Sequence, residues 1–585
     1  MPADHNTAIH GAFPPGSVCT SPSVIVNSRS GAWLIVDGDW AGRTQRDATQ
    51  RACARSLESY LSSGRRSEAF AAHLASPFAA VLIDTQTSCV SLAVDRVGQS
   101  SLYHARRGNL LYFSTRLQDL ASTLPTGPAL CPQAIYDYVY FHCIPAPRTI
   151  YAEVFKLSRA TLVSITSSRQ DTTLYWSPKF AGGDEHAGMP EKGDELRARL
   201  RSSVAFCAAE ASPGAFLSGG LDSSSVVGML AGVQGGDATR AFSMGFSAEG
   251  YDEIAYARSA ASRFGVKHLV HYVTPTDILQ NVERVAAGFD EPFGNSSALP
   301  TYVCARFARD NGVSMLLAGD GGDELFGGND RYAKQLLFER FSRLATLLMP
   351  VASGIEQHWP SAVRPALLRK AASFLRQAAT PLPERLQTYN FLHQIAPAEI
   401  FAAALLSEVD THLPLAALRA AYLEPALADA INRMLYLDWK FTLADNDLVK
   451  VAGACRLAGV DVAFPMLSDE MVEFSSSLPT DWKTTRRELR VFYKQAMRGF
   501  LPDEIIAKTK HGFGLPFGVW TREHPQLREL AYDCVLSLRS RGWFNAHFLE
   551  RVIELHRAGH AAYYGELVWI LMTLELWLRR NVARP

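Results

Sequence analysis

Short apolar runs separated by turn residues dominate the first 180 positions. AWLIVDGDW (32–40), AAVLIDT (79–85) and NLLYFST (109–115) are rich in Leu, Ile, Val and aromatic residues and are bounded by Gly, Asp, Ser or Thr, which predicts strands. The pattern changes at KFAGGDEHAGMPEKG (179–193), where Gly, Pro and charge accumulate as in a linker. Beyond it, strand-like runs (GAFLSGG, 214–220; RAFSMGF, 240–246; VSMLLAGDGG, 313–322) alternate with helix-like stretches (DELRARLRSSVAFCAAE, 194–210; EIAYARSAASRFG, 253–265; TYVCARFARDNG, 301–312). Such alternation predicts a parallel sheet covered by helices. From Leu337 onward helix formers dominate, and there is no internal repeat or low-complexity tract. The expectation is a two-domain α/β and α+β protein: a β-rich sandwich over 1–180, then a parallel-sheet α/β domain over 194–585 with a helical C-terminal region.

Composition narrows the function classes. The 585 residues are 48% apolar and 20% charged, as in a globular protein able to bury a large core. Lys plus Arg and Asp plus Glu number 58 each, so no overall basic field attracts nucleic acid. MPADHNTAIHGAFPPG lacks the basic-then-apolar pattern of a secretory signal. LVWILMTLELWLRR is too short to cross a bilayer and contains Glu575, which predicts a buried C-terminal helix. A cytoplasmic protein with no membrane or nucleic-acid partner is expected. The nine cysteines form no C-x-x-C pair and no metal-type spacing with histidine.

The strongest chemical signal is AFLSGGLDSSSVVGML (215–230), where an apolar strand ends in glycines, hydroxyls and one acid before a helix begins. Ligands of open parallel sheets sit beyond the carboxyl ends of strands. Glycines there let backbone N–H groups face an anion, and the next helix adds its positive end. Hydroxyls of Ser218, Ser223 and Ser224 can donate to phosphate oxygens, while Asp222 can hold a Mg²⁺ that bridges them. The stretch reads as a pyrophosphate cradle, and it is not a Walker-type loop, because it has no lysine. AGDGGDELFGG (318–328) also follows a strand-like run and supplies Asp320, Asp323 and Glu324.

SGGLDSS resembles the ATP pyrophosphatase loop of the asparagine synthetase family, which includes asparagine synthetases, β-lactam synthetases and lasso-peptide cyclases. DEPFGNSSALPTY (290–302), LLAGDGGDELFGGNDRY (316–332) and KTKHGFGLPFGVW (508–520) resemble three further blocks in the family's order. The resemblance implies that ATP is bound by Leu217, Ser218, Gly219, Gly220, Leu221, Asp222, Ser223 and Ser224, with Met244 near the adenine and Ala318 and Gly319 from the second loop. It implies Mg²⁺ on Asp222 and Asp323, a catalytic lysine at Lys510 with Lys508 as its neighbouring competitor, and a catalytic position at Asp320. Asp320 stands where asparagine synthetases carry glutamate and β-lactam synthetases tyrosine; proton acceptance from the attacking amine and positioning of ATP are the two roles open to it. The segments 290–302 and 441–464 resemble the family's substrate side.

The first domain resembles the family's glutaminase half, an Ntn-hydrolase-like fold, through VDGDWAG (36–42), AVDRVGQSSLYHARRGNLLYFSTRLQDL (93–120) and YFHCIPAPRTIYAEVFKLSRATLV (140–163). Glutamine hydrolysis there uses an N-terminal cysteine whose α-amine assists as base. This chain has Thr7 at that position, preceded by six residues, and Cys19 falls too late in the pattern to replace it. A domain without that thiol is expected to be a scaffold. The nucleophile is then an amine already on the substrate, and ring closure benefits from its proximity. The resemblance implies a lasso-peptide cyclase acting on a precursor core peptide, alongside a leader peptidase. An asparagine synthetase-like or β-lactam synthetase-like ligase of small amino acids and a non-catalytic ATP-binding scaffold are the alternatives.

Overall fold

The computed structural model describes residues 10–13, 17–19, 24–27, 31–37, 43–180, 188–209, 212–248, 250–358, 366–425, 429–509 and 514–582. Thr7 and Lys510 lie outside the described residues.

The first part holds two antiparallel sheets. One orders its strands 17–19, 10–13, 110–114, 103–107, 154–156; the other 170–174, 161–165, 89–94, 79–84, 32–37, 24–27. The two-residue period of Ala79–Asp84 shows how they stack. Ala79, Val81 and Ile83 pack with Leu111 and Phe113 of the first sheet, whereas Ala80 and Leu82 pack with Cys53, Leu57 and Tyr60 of helix Arg43–Ser62. Each buried Val, Leu or Ile among them contributes about 1.5–3 kcal/mol. A helix therefore covers the outer face of one sheet, and the sheets face each other.

The helix that follows spans Met189–Ala208, so it takes in 189–193 of the stretch that reads as a linker. Pro190 lies in its first turn, where a proline's missing N–H has no helical partner to lose.

The second part is built on a five-stranded, wholly parallel sheet ordered Lys267–Val273, Arg240–Phe246, Gly214–Phe216, Met315–Leu317, Asp461–Ala463. The chain lays down Gly214–Phe216 first, builds outward on one side, then returns to place Met315–Leu317 on the other. The order reverses between these two central strands, and both glycine-rich loops leave from that point. Beyond Asp330 the only strand among the described residues is Asp461–Ala463, in agreement with the helical composition. The last helix, Ala561–Asn581, is buried along Leu567–Leu578, and Glu575 within it is paired with Arg541 and Arg579. No helix among the described residues is long and apolar enough to cross a membrane.

The two parts are locked together by polar contacts. Tyr138 donates its hydroxyl to the Ile570 carbonyl at 2.8 Å, and Glu291 accepts from the Ile150 N–H and from Lys156 at 2.8 and 3.2 Å.

Candidate active site

A cavity of about 690 Å³ opens over the switch point of the parallel sheet. Its walls include Leu217, Ser218, Gly220, Asp222, Ser223, Met244, Gly319, Asp320 and Asp323, so most of the sequence-predicted residues converge on one space. The loop after Gly214–Phe216 turns at Gly219, whose φ of +75° favours glycine and whose added Cβ would lie 2.6 Å from the Ala257 nitrogen. Helix Leu221–Gln234 starts directly after Gly220 and aims its first turn at the cavity. Ser218 and Ser223 meet through their hydroxyls at 3.0 Å.

Three expectations need adjustment. Ser224 is fully buried and its hydroxyl has no partner among the described residues; one helical step from Ser223 turns it about 100° away from the cavity. Ala318 is buried behind Gly319 and donates its N–H to the Ala463 carbonyl. Leu221 packs against the hydrophobic core rather than lining the wall.

The second loop approaches the first closely enough to exclude side chains. A Cβ on Gly319 would lie 2.7 Å from the Ser223 nitrogen, and one on Gly322 only 2.1 Å from Asp222 Oδ1. This approach brings Asp222 and Asp323 to a common partner, Arg490. Its guanidinium donates to both oxygens of Asp222 at 2.6 and 2.7 Å and also contacts Asp323 Oδ1. Two carboxylates converging beside the glycine- and serine-rich loop form a pair of hard oxygen donors of the kind Mg²⁺ shares with phosphates.

A second charge cluster lies on the facing wall. The π-helical segment Trp439–Asp447 runs into helix Leu448–Ala458 and presents Asn446, Asp447 and Lys450 to the cavity; π-helical turns are common at functional sites. Lys450 Nζ donates to Asp447 at 2.7 Å and lies 4.0 Å from Asp320 Oδ1. Burial pushes the Asp320 carboxyl up to about 6 against the pull of Lys450, with Asp447 and Asp222 adding to the rise. Burial likewise raises Glu324 to about 8. Lys508 is anchored at the first loop, 2.9 Å from Glu253 and 3.4 Å from the Gly219 carbonyl.

Arg490 and Lys450 were not singled out from the sequence. Asp447 and Lys450 stand three apart on a helix, a readable signal, whereas Arg490 comes from a run of exposed-looking basic residues, RRELR.

Residues 195–579 match the family model described as asparagine synthase. The chain belongs to the asparagine synthase family. Residues 53–176 match the glutamine amidotransferase domain model, which agrees with the two stacked antiparallel sheets. Asparagine synthetase 1 (glutamine-hydrolysing) of Bacillus subtilis strain 168 is 23% identical over 502 residues, covering 84% of this chain and 75% of that protein. The amidase chyE of Penicillium rubens is 27% identical over 305 residues, 48% of this chain and 44% of that protein. Family members are ATP-dependent amide ligases, and this asparagine synthetase-like chain is one of them.

Proposed function

We propose that this asparagine synthase family member is a lasso-peptide cyclase. It activates an Asp or Glu side-chain carboxylate of a core peptide with ATP, releasing pyrophosphate, and the peptide's own N-terminal amine displaces AMP to close a macrolactam. The observation that carries this reading is a contrast within one chain. The ATP end retains its glycine loops, Asp222, Asp323 and Asp320, while position 7, where glutamine hydrolysis needs cysteine, is threonine. Without ammonia made in place, an amine carried by the substrate is the economical nucleophile.

Asp222 and Asp323 would hold Mg²⁺, which when bound shields the phosphate charge. Ser218, Ser223 and the backbone of 219–220 bind the phosphates, and Met244 with Leu217 borders the nucleoside end. Asp320 accepts the proton that the attacking amine releases as its nitrogen bonds to the acyl carbon, a task suited to a carboxyl pushed up to about 6. Lys450 steadies the ionised form of Asp320 from 4.0 Å. Lys510 stabilises charge on the departing groups. The core peptide enters from the side of Asn295, Ser296 and Asn446, and a leader peptidase supplies it with a free α-amine.

The test is incubation of the protein with Mg-ATP and leader-free candidate peptides, followed by mass spectrometry. A peptide lighter by one water, resistant to amine labelling and formed in step with AMP, is expected. Peptides left linear while aspartate is amidated would favour the small-substrate ligase instead.

A further inference from the structure

The cavity extends beyond the ATP end to a wall built by both domains. His142 follows helix Pro132–Phe141 in the N-terminal part, yet it lines this cavity together with Glu566 of the last helix. The two side chains face each other, His142 Nδ1 lying 3.7 Å from Glu566 Oε1, beyond hydrogen-bond reach.

Charge pairing separates Glu566 from the other acids of the cavity. Arg490 answers Asp222 and Asp323, Lys450 answers Asp447 and Asp320, and Lys508 answers Glu253. Glu324 is buried within the short helix Gly322–Phe326. Among the described residues Glu566 faces only His142, whose imidazole burial holds well below its usual range, at about 4, so that it carries no balancing charge; burial also raises the Glu566 carboxyl, which a bound cation would return to its ionised form. Glu566 is also open to the cavity, its side chain 46% exposed.

The backbone keeps His142 in place. Its φ of +62° is the left-handed region that favours glycine, its carbonyl accepts from the Gly294 N–H at 2.8 Å, and the preceding helix is fixed to the last helix through Tyr138. A histidine held there by contacts from both domains presents a neutral ring nitrogen next to the Glu566 carboxyl, which has no cationic partner among the described residues. Together they can accept hydrogen bonds from one N–H-rich cation.

We propose that Glu566 and His142 form a subsite for a cationic group of the substrate, an ammonium or a guanidinium, so that the N-terminal domain takes part in substrate selection. The inference rests on the reading of this end of the cavity as the substrate side.

The test uses two probes that cannot react, because neither has a carboxylate: acetyl-Gly-Lys-Gly-amide and its Nε-acetyl-lysine twin. Each is titrated into the Mg-ATP-loaded protein by calorimetry and ligand-observed NMR. The lysine peptide is expected to bind roughly fivefold more tightly, as for a partly exposed ion pair. Glu566→Gln should remove that preference, and His142→Gly, which suits the left-handed backbone, should weaken the lysine peptide; ATP affinity reports whether each variant is folded. Equal binding of the two peptides, no binding of either, or a preference that survives Glu566→Gln overturns the subsite. Because no ring is closed in this assay, charge preference without macrolactam formation would point to a failure of the proposed reaction alone, and macrolactam formation without charge preference to a failure of the subsite alone.

Discussion

At the scale of residues, the central feature is a set of acids whose charges are managed by three cations. Lys450 stands 4.0 Å from Asp320, whose carboxyl titrates near 6. If Asp320 takes a proton during catalysis, activity falls as pH drops through that value. Removing the neighbouring positive charge disfavours the carboxylate, so Lys450→Met should move the acidic limb of the pH–rate profile upward; a limb that stays or moves down contradicts the assignment. Arg490→Met would remove the guanidinium that Asp222 and Asp323 share and increase the repulsion between them, lowering stability by about 1–3 kcal/mol. Mg²⁺ should therefore raise the melting temperature of that variant more than it raises that of the parent, and an equal response would argue against a shared metal position.

These residues also mark what could be read in advance. Asp222 and Asp323 were legible because each sits inside a glycine-rich block, SGGLDSS and GDGGDE, that resembles the family's pattern. Arg490 was not, because it lies 268 positions from Asp222 and only the packing of helix Val491–Met497 brings it there. The hydroxyls show the reverse error: sequence presents Ser223 and Ser224 as equals, but helical rotation gives one to the cavity and buries the other.

At the scale of elements, the two loops after Gly214–Phe216 and Met315–Leu317 form one unit because glycines let them touch. Gly322→Ala would place a methyl group 2.1 Å from Asp222 Oδ1. Its backbone is not left-handed, so the fold should persist while the carboxylate is displaced. Turnover is expected to fall roughly a hundredfold with little change in melting temperature, as small misplacements of reacting groups do. A large loss of stability would instead mean that the loop contact is structural. The strands and helices of this unit were legible from alternation of apolar runs. The π-helical segment Trp439–Asp447 was not, because its sequence differs little from an ordinary helix and its extra width depends on surrounding contacts, such as the Trp439 indole donating to the Glu324 carbonyl at 2.8 Å.

At the scale of the whole molecule, a glutaminase-like part is fixed to a ligase part through buried pairs such as Lys156 with Glu291. With threonine at position 7, glutamine should support no amide formation and no glutamate should be released; glutaminase activity measured on the purified chain would show another nucleophile at work. The sandwich and the parallel sheet were both legible, and the junction was partly so: the linker-like composition of 179–193 hid the first turn of helix Met189–Ala208, because a proline-containing helix start resembles a turn.

The most direct measurement compares two reactions of the same protein with Mg-ATP, one containing a leader-free peptide and one containing aspartate and ammonia, with AMP and the amide products quantified together. The account predicts AMP matched one-to-one by dehydrated, cyclic peptide and no asparagine. Asparagine formed with AMP, and peptides left linear, would show that ammonia and not a peptide amine is the nucleophile.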